Sequence, residues 1–287
     1  MSPVSASAWL AAHERVLSAC THLNIISKIT SSILLVSELP KAFIDRIMRA
    51  ILTFHSIDDS GSVLSYPPRT FERLLLALQH SGIPLLDLDT LLRTETKTGV
   101  ALTFDDGMRS LFTEALPILR RHGAPAHLFL TTGVVGTTNR WPTQPATAPL
   151  FEMLRWREIE ALHDAGIQIE AHTANHPDLR QLSDAALRAE CDQADETITS
   201  MLGKQPRYFA YPYGSNDSRV RSFARKRYIG SLTADLRILR QKEDPAALPR
   251  LESYYFRKDF LFSNLQSPAT LAYIALRRVF RQLKSWL

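Results

Sequence analysis

Two pairs of residues in this sequence have the types and spacing to bind a metal and catalyse a hydrolysis. Asp105 and Asp106 stand side by side at the end of the apolar run ALTFDDG, which predicts a buried strand. Like charges at neighbouring buried positions need a cation or a carboxyl group with a raised pKa. His172 and His176 follow a second apolar run, so that with one aspartate they could form a His₂Asp set. Three protein ligands and an open position are typical of a catalytic zinc site.

The elements that must position these residues predict a parallel α/β architecture. Short apolar runs indicate strands, and longer amphipathic stretches between them have helical spacing. Strands that alternate with helices pair in parallel, and functional residues collect at the carboxyl ends of such strands. About seven repeats of this unit favour a barrel over an open sheet. The predicted strands are residues 51–54, 100–104, 126–132, 167–171, 207–212, 229–233 and 248–252, and the predicted helices are 69–81, 109–122, 156–165, 183–202 and 216–227.

The barrel is predicted to occupy residues 49–262, between two helical segments. Residues 1–48 are interpreted as an N-terminal helical extension. Residues 263–287 contain a basic amphipathic helix, in which Ser267 is the predicted N-cap and Pro268 the first helical residue. Such a helix can lie on an anionic membrane surface, and more commonly it packs on its own domain.

Composition narrows the classes of partner. The chain has 287 residues and a net charge of +5, and its basic residues are spread along the sequence. Zinc-finger, RNA-recognition and basic-zipper patterns are absent, so we predict no nucleic-acid partner. The most apolar early stretch has 14 residues and includes Lys28, so no export signal or spanning segment is recognised. We predict a cytoplasmic protein or one peripheral at a membrane through residues 267–287, and the oligomeric state stays open.

The aspartate and histidine motifs resemble those of the polysaccharide deacetylase family, the NodB-homology domain of carbohydrate esterase family 4. TFDDG is similar to the first family motif, HTANHP to the second, and FAYPYG, at residues 209–214, to the third. The similarity in motif order and spacing covers roughly residues 50–255. The runs ILTFHSIDD and LPRL also resemble a branch that acts in exopolysaccharide synthesis. The resemblance implies a distorted (β/α)₇ barrel, in agreement with the strand pattern.

The resemblance also implies a role for each motif residue. Asp105 is the general base, and Asp106, His172 and His176 bind a divalent metal. Zinc suits this ligand set, and cobalt, nickel or iron could also bind. The metal would polarise the acetamide carbonyl of an N-acetylated glycan and activate a water, whose proton Asp105 takes. The backbone N–H of Tyr213, directly after the motif proline, would stabilise the oxyanion.

Two positions depart from the family pattern. The third motif usually begins with an arginine that orients the base, and here Ala210 stands at that position. The family also usually supplies a late histidine as general acid, whereas all nine histidines of this chain lie at or before His176. Arg250, in a late strand, is the predicted substitute for the arginine. His55, at the end of the first barrel strand, is the predicted substitute for the histidine.

Aromatic residues near the third motif are predicted to contact the substrate. Tyr211 and Tyr213 flank Pro212 and could line a sugar groove by stacking. Trp141 could do the same from an irregular loop, residues 136–149, which is either a binding loop or a passive surface insertion.

The sequence therefore predicts a metal-dependent N-deacetylase that acts on an N-acetylated sugar in a polysaccharide or its precursor. One alternative is a hydrolase of another amide or ester on the same fold. A second alternative is a non-catalytic glycan-binding member, because the motif arginine and the late histidine are both missing. A long open cleft would favour a polymer, and a closed pocket would favour a small molecule.

Overall fold

The computed structural model describes residues 48–284 of the chain. The predicted N-terminal helical extension and the last three residues of the predicted C-terminal helix lie outside this described part.

Seven of the nine strands in the described part form a closed parallel barrel. In chain order the strands are β1 (Arg49–Phe54), β2 (Ser56–Ile57), β3 (Ser65–Tyr66), β4 (Gly99–Asp106), β5 (Ala126–Leu130), β6 (Gln168–Ala171), β7 (Tyr208–Ala210), β8 (Gly230–Leu236) and β9 (Leu248–Glu252). The barrel order is β1, β4, β5, β6, β7, β8 and β9, and β9 pairs with β1 to close it. β2 and β3 form a separate two-stranded sheet directly after β1.

Helices connect the barrel strands at the predicted places. They are α1 (Pro68–His80), α2 (Leu88–Leu91), α3 (Leu116–His122), α4 (Trp156–Asp164), α5 (Asp184–Leu202), α6 (Ser218–Arg225), α7 (Asp259–Phe262) and α8 (Pro268–Lys284). The single helix predicted over residues 109–122 is divided into a π-helical turn, Leu111–Ala115, and α3. Pro117 accounts for the break, because proline lacks the N–H that a continuous α-helix would use there.

The barrel is irregular on one side, which confirms the predicted distorted (β/α)₇ architecture. β1 and β4 pair along the whole of β1. In contrast, β6 and β7 share one pair, Ala171 with Phe209, and the register between β8 and β9 shifts between Leu232 and Leu236. The strands that carry the second and third motifs are therefore joined only near their carboxyl ends, at the last residue of β6.

An aromatic cluster anchors the strand that ends in the two aspartates. The Phe104 ring stacks on Phe54 with a centroid distance of 5.3 Å, and Phe71 of α1 packs edge-on against both. All three side chains are fully buried. Burial of one such side chain contributes about 1.5–3 kcal/mol. The residue directly before Asp105 is therefore firmly held in the core.

Helix α8 begins at the predicted residue, and it packs on the barrel. The Ser267 hydroxyl accepts a hydrogen bond from the Thr270 N–H, and Pro268 is the first helical residue. Ile274 is buried, and Phe280 is 51% exposed. One apolar face of the helix thus contacts the domain while part of another faces solvent. Among residues 48–284, no helix combines the length and apolar character needed to cross a bilayer.

Candidate active site

The predicted metal ligands meet at the carboxyl end of the barrel. Asp106 is the last residue of β4, and His172 directly follows β6. Asp106 Oδ1 lies 3.3 Å from Nε2 of His172 and 3.4 Å from Nε2 of His176. All three side chains are buried, and their ligand atoms lie within 4.8 Å of one another. The fold therefore brings together one carboxylate and two imidazoles in a cluster of metal-binding size.

The hydrogen bonds around this cluster show that a cation fits it. Nδ1 of His172 donates to the carbonyl oxygen of Ala210 at 2.7 Å, so that in the neutral imidazole Nε2 carries a lone pair. Burial lowers the pKa of His176 to about 3, which makes this imidazole neutral near pH 7. Asp106 Oδ1 is buried and accepts no hydrogen bond within the described residues. A buried carboxylate oxygen beside two imidazole nitrogens and without a hydrogen bond is unfavourable alone and favourable around a divalent cation.

Backbone strain is concentrated in the segments that carry the site. Within residues 48–284, the non-glycine residues with positive φ are Asp106 (73°), Thr173 (67°), His176 (53°) and Tyr213 (59°). Such conformations cost roughly 1–3 kcal/mol each and persist where the surrounding structure enforces them. Neighbouring residues of a regular strand point to opposite faces. The left-handed turn at Asp106 breaks that alternation, so that both Asp105 and Asp106 engage the site.

Arg250, the predicted substitute for the missing motif arginine, pairs with Asp105. Its Nη1 donates to Asp105 Oδ1 at 2.7 Å, and its Nε donates to the Thr233 carbonyl at 3.0 Å. Both side chains of the pair are buried. Burial alone would raise the pKa of Asp105, but the guanidinium of Arg250, together with His172, holds that pKa below its usual value. Asp105 is therefore ionised at neutral pH, the form that accepts a proton.

His55 lies on the other side of the aspartates, directly after β1. Its Nδ1 is 3.8 Å from Oε1 of Glu252, the last residue of β9, and its side chain is 18% exposed. Burial by itself lowers the pKa of His55, but the carboxylates of Glu252, Asp106 and Asp105 raise it above the usual 6.5. The imidazole therefore stays protonated to higher pH than that of an ordinary histidine, and the protonated form can donate a proton.

The loop 136–149 closes over the metal-ligand side of the site. Trp141 Nε1 donates to the Tyr213 hydroxyl at 2.9 Å, and that hydroxyl lies 2.8 Å from Thr143 Oγ1. Thr143 Oγ1 in turn donates to the carbonyl oxygen of His176 at 3.0 Å. The Trp141 ring packs against the His176 imidazole with centroids 4.3 Å apart. The loop therefore clamps a metal ligand, and the interpretation as a passive surface insertion does not fit.

Comparison with known proteins identifies the domain. Residues 93–229 match the family model for polysaccharide deacetylase. This match supports the resemblance to the polysaccharide deacetylase family over just under half of the chain. A poly-beta-1,6-N-acetyl-D-glucosamine N-deacetylase of Staphylococcus aureus (strain MSSA476) is 25% identical over 169 residues, 55% of this chain and 53% of that protein. The chain spans just over half the length of the curated relatives it matches.

Solved structures show the same fold. The structure of IcaB from Ammonifex degensii superposes with a TM-score of 0.63 at 21% identity, covering 78% of this chain and 97% of that one. The Streptococcus pyogenes deacetylase PplD, solved with acetate, gives a TM-score of 0.62 at 24% identity, covering 72% of this chain and 92% of that one. These structures confirm the fold that the resemblance implied, and the family model supports the resemblance over residues 93–229.

Two of the aromatic predictions for the deacetylase domain are wrong as stated. Tyr211 is fully buried, and its hydroxyl donates to the Ala246 carbonyl at 2.8 Å, so its ring presents no face to a sugar. Pro212 is also buried. Trp141 is 7% exposed because it packs on His176, which makes it a support of the ligand rather than an open stacking platform. Tyr213 is 48% exposed and stays a predicted substrate contact.

Two contributors to the candidate site have no motif signal in the sequence. Glu252 faces His55, and Thr143 holds the His176 carbonyl. Both contacts join residues that are distant in the chain, so neither follows from local spacing. The proline- and threonine-rich composition of the loop 136–149 was the one sequence feature that indicated a role near the site.

Proposed function

We propose that this chain is a metal-dependent N-deacetylase that removes acetyl groups from an N-acetylated sugar in a polysaccharide or its precursor. One observation carries the proposal: the buried Asp105–Arg250 pair stands beside the Asp106–His172–His176 cluster. That arrangement supplies an ionised base next to three ligands suited to a divalent metal. The name of the Staphylococcus aureus relative supports an N-acetylated glycan as the substrate class.

Each site residue has a separate role in the proposed reaction. A divalent metal held by Asp106 and the two histidines would supply Lewis acidity for the acetamide carbonyl and a lowered pKa for water. Asp105, kept ionised by Arg250, accepts the proton of the attacking water. The backbone N–H of Tyr213 donates to the oxygen that becomes negative in the tetrahedral state. Protonated His55 then donates its proton to the departing sugar amine, and acetate and the free amine are released.

Two features support this proposal over the alternatives. A glycan-binding module has no need of a buried arginine that keeps Asp105 ionised, whereas a general base does. The cavity beside His55 is an open cleft rather than a closed pocket, which favours a polymer over a small amide or ester.

The finer properties are part of the same proposal. Zinc is the proposed metal, because a His₂Asp set suits it, and cobalt, nickel and iron are the competing ions.

The basic helix within residues 267–287 is the proposed site of peripheral membrane contact, with a cytoplasmic or membrane-surface location. Deletion of these residues should reduce co-sedimentation with anionic liposomes, and unchanged partitioning would contradict membrane contact.

The activity is tested by acetate release from N-acetylglucosamine oligomers. Purified protein is compared as prepared, after chelation, and after zinc is restored, beside Asp105→Asn. We expect release that depends on the metal and falls by about 10²–10⁴-fold in Asp105→Asn, the range for a general base. Release that survives both chelation and the substitution would contradict the proposal.

A further inference from the structure

A cleft of about 540 Å³ opens beside His55 and has no assigned role. Its volume falls within the range of roughly 300–1,000 Å³ that is usual for ligand sites. His55 and Glu252 form its inner end, next to the reacting centre. Three separate segments form its walls: Val63 from the β2–β3 connection, Tyr254 from the turn after β9, and Arg281 from α8. None of the proposed metal ligands lines it.

The aromatic wall of the cleft is held in place and still accessible. Tyr254 is 38% exposed. The guanidinium of Arg257 lies 4.6 Å from the centroid of the Tyr254 ring and donates to the carbonyl oxygens of Ser62 and Ser65. Arg257 therefore ties the Tyr254 turn to the β2–β3 connection, which positions Val63 across the cleft. A fixed aromatic ring opposite an aliphatic side chain suits the apolar C–H face of a pyranose.

The basic residue at the outer end of the cleft is available to a ligand. On the same helix, Arg278 pairs with Asp235, and the Arg277 guanidinium lies 4.8 Å from the Tyr255 ring centroid. Arg281 differs from both, because within the described part of the chain it forms no ion pair and no hydrogen bond. Its guanidinium presents up to five N–H donors to the cleft. Sugar hydroxyl and ring oxygens are acceptors for such donors.

We propose that this cleft binds the sugar unit adjacent to the one that is deacetylated, with Tyr254 as stacking platform and Arg281 as hydrogen-bond donor. The inference rests on the proposed function for its substrate class. It makes the C-terminal helix part of the substrate site, because α8 supplies Arg281. An enzyme with such a subsite gains catalytic efficiency when the substrate extends beyond the reacting sugar.

Chain-length dependence of the reaction tests the cleft. The metal-loaded full chain is assayed for kcat/KM on N-acetylglucosamine and its dimer to pentamer. Tyr254→Ala, Tyr254→Phe and Arg281→Ala are compared with two exposed controls outside the cleft, Phe260→Ala and Leu276→Ala. In the unaltered protein, we expect kcat/KM to rise from monomer to pentamer, and we call this rise the length gain. Tyr254→Ala and Arg281→Ala should each reduce the length gain by about fivefold to tenfold, the size of one accessible stacking or hydrogen-bonding contact. Tyr254→Phe should retain the gain, because the ring remains.

A direct binding measurement tests the proposed subsite independently of the proposed activity. Calorimetric titration of the pentamer into Asp105→Asn protein, with and without Tyr254→Ala or Arg281→Ala, requires no turnover. Weaker pentamer binding in the double variants supports the subsite even if no substrate is deacetylated, in which case the proposed function alone fails. Equal pentamer affinity in all proteins, no measurable pentamer binding, or an unchanged length gain would overturn the subsite.

Discussion

The two sides of the barrel rim are built differently. On the β4–β6 side, Asp106 and the two histidines are buried, the backbones of Asp106 and His176 are strained, and the loop 136–149 contacts His176. On the β9–β1 side, His55 and Glu252 are 18% and 27% exposed, lie 3.8 Å apart, and face an open cleft. A metal site needs fixed ligands, whereas a proton donor needs access to the leaving group and freedom to change charge. Under the proposed function, cation binding belongs to the first side and proton donation to the leaving group belongs to the second.

The largest expected effect comes from the ligand side. Asp106→Asn removes the anionic ligand, so metal content should fall together with acetate release. Release should drop by more than about a thousandfold, because Lewis-acid stabilisation is worth several kcal/mol. Metal content by mass spectrometry and acetate release are measured on the same samples. Asp164→Asn, at an exposed aspartate that ends α4, serves as control, and full metal occupancy in Asp106→Asn would contradict the comparison.

The next effect belongs to the proton-transfer side. His55→Ala removes the proposed general acid, so kcat for acetate release should fall by about 10²-fold or more. The metal content should remain that of the unaltered protein, because His55 is outside the ligand cluster. An unchanged kcat, measured under saturating substrate, would remove His55 from the mechanism.

The clamp on the ligand side predicts a smaller effect. Thr143→Val deletes the hydroxyl that joins Tyr213 to the His176 carbonyl. Metal affinity should weaken by about tenfold, the lower end of the range for groups that orient a ligand. Competition with a chromogenic chelator measures this affinity. Thr147→Val, exposed in the same loop, should have no effect, and equal affinity in both variants would argue against the clamp.

The smallest effect concerns pH. The pKa of His55 is raised in the fold by nearby carboxylates, Glu252 first among them, so His55 stays protonated to higher pH and activity is lost as pH rises through that pKa. Glu252→Gln removes one carboxylate charge and should shift the alkaline limb of kcat/KM to lower pH by up to about one unit. The acid limb, set by the lowered pKa of Asp105, should not move. An alkaline limb that stays in place would contradict the pairing of Glu252 with His55.

The ligand side was predictable because its residues lie in compact motifs at strand ends. TFDDG and HTANHP place Asp106, His172 and His176 after parallel strands, and the carboxyl ends of parallel strands meet at one rim. Arg250 was predicted from its place in a late strand and His55 from the end of the first barrel strand, and the structure places both near the aspartates, while their roles stay predictions. The contacts of Glu252 and Thr143 were not predictable, since they depend on how β9 and the loop 136–149 pack.

The wrong predictions have a local physical cause. Tyr211 and Tyr213 were both predicted to line a sugar groove because they flank Pro212, and an extended segment would place their side chains on one face. The left-handed conformation of Tyr213 ends that periodicity, so Tyr213 faces the site while Tyr211 packs in the barrel wall. A single sequence carries no signal for a positive φ at a tyrosine, because such conformations are enforced by tertiary structure.

The most direct test of the division between the two sides is metal content and acetate release measured together on Asp106→Asn and His55→Ala. Our account predicts that Asp106→Asn loses both the metal and the release, while His55→Ala keeps the metal and loses the release. Loss of the metal in both variants, or full release by His55→Ala, would contradict it.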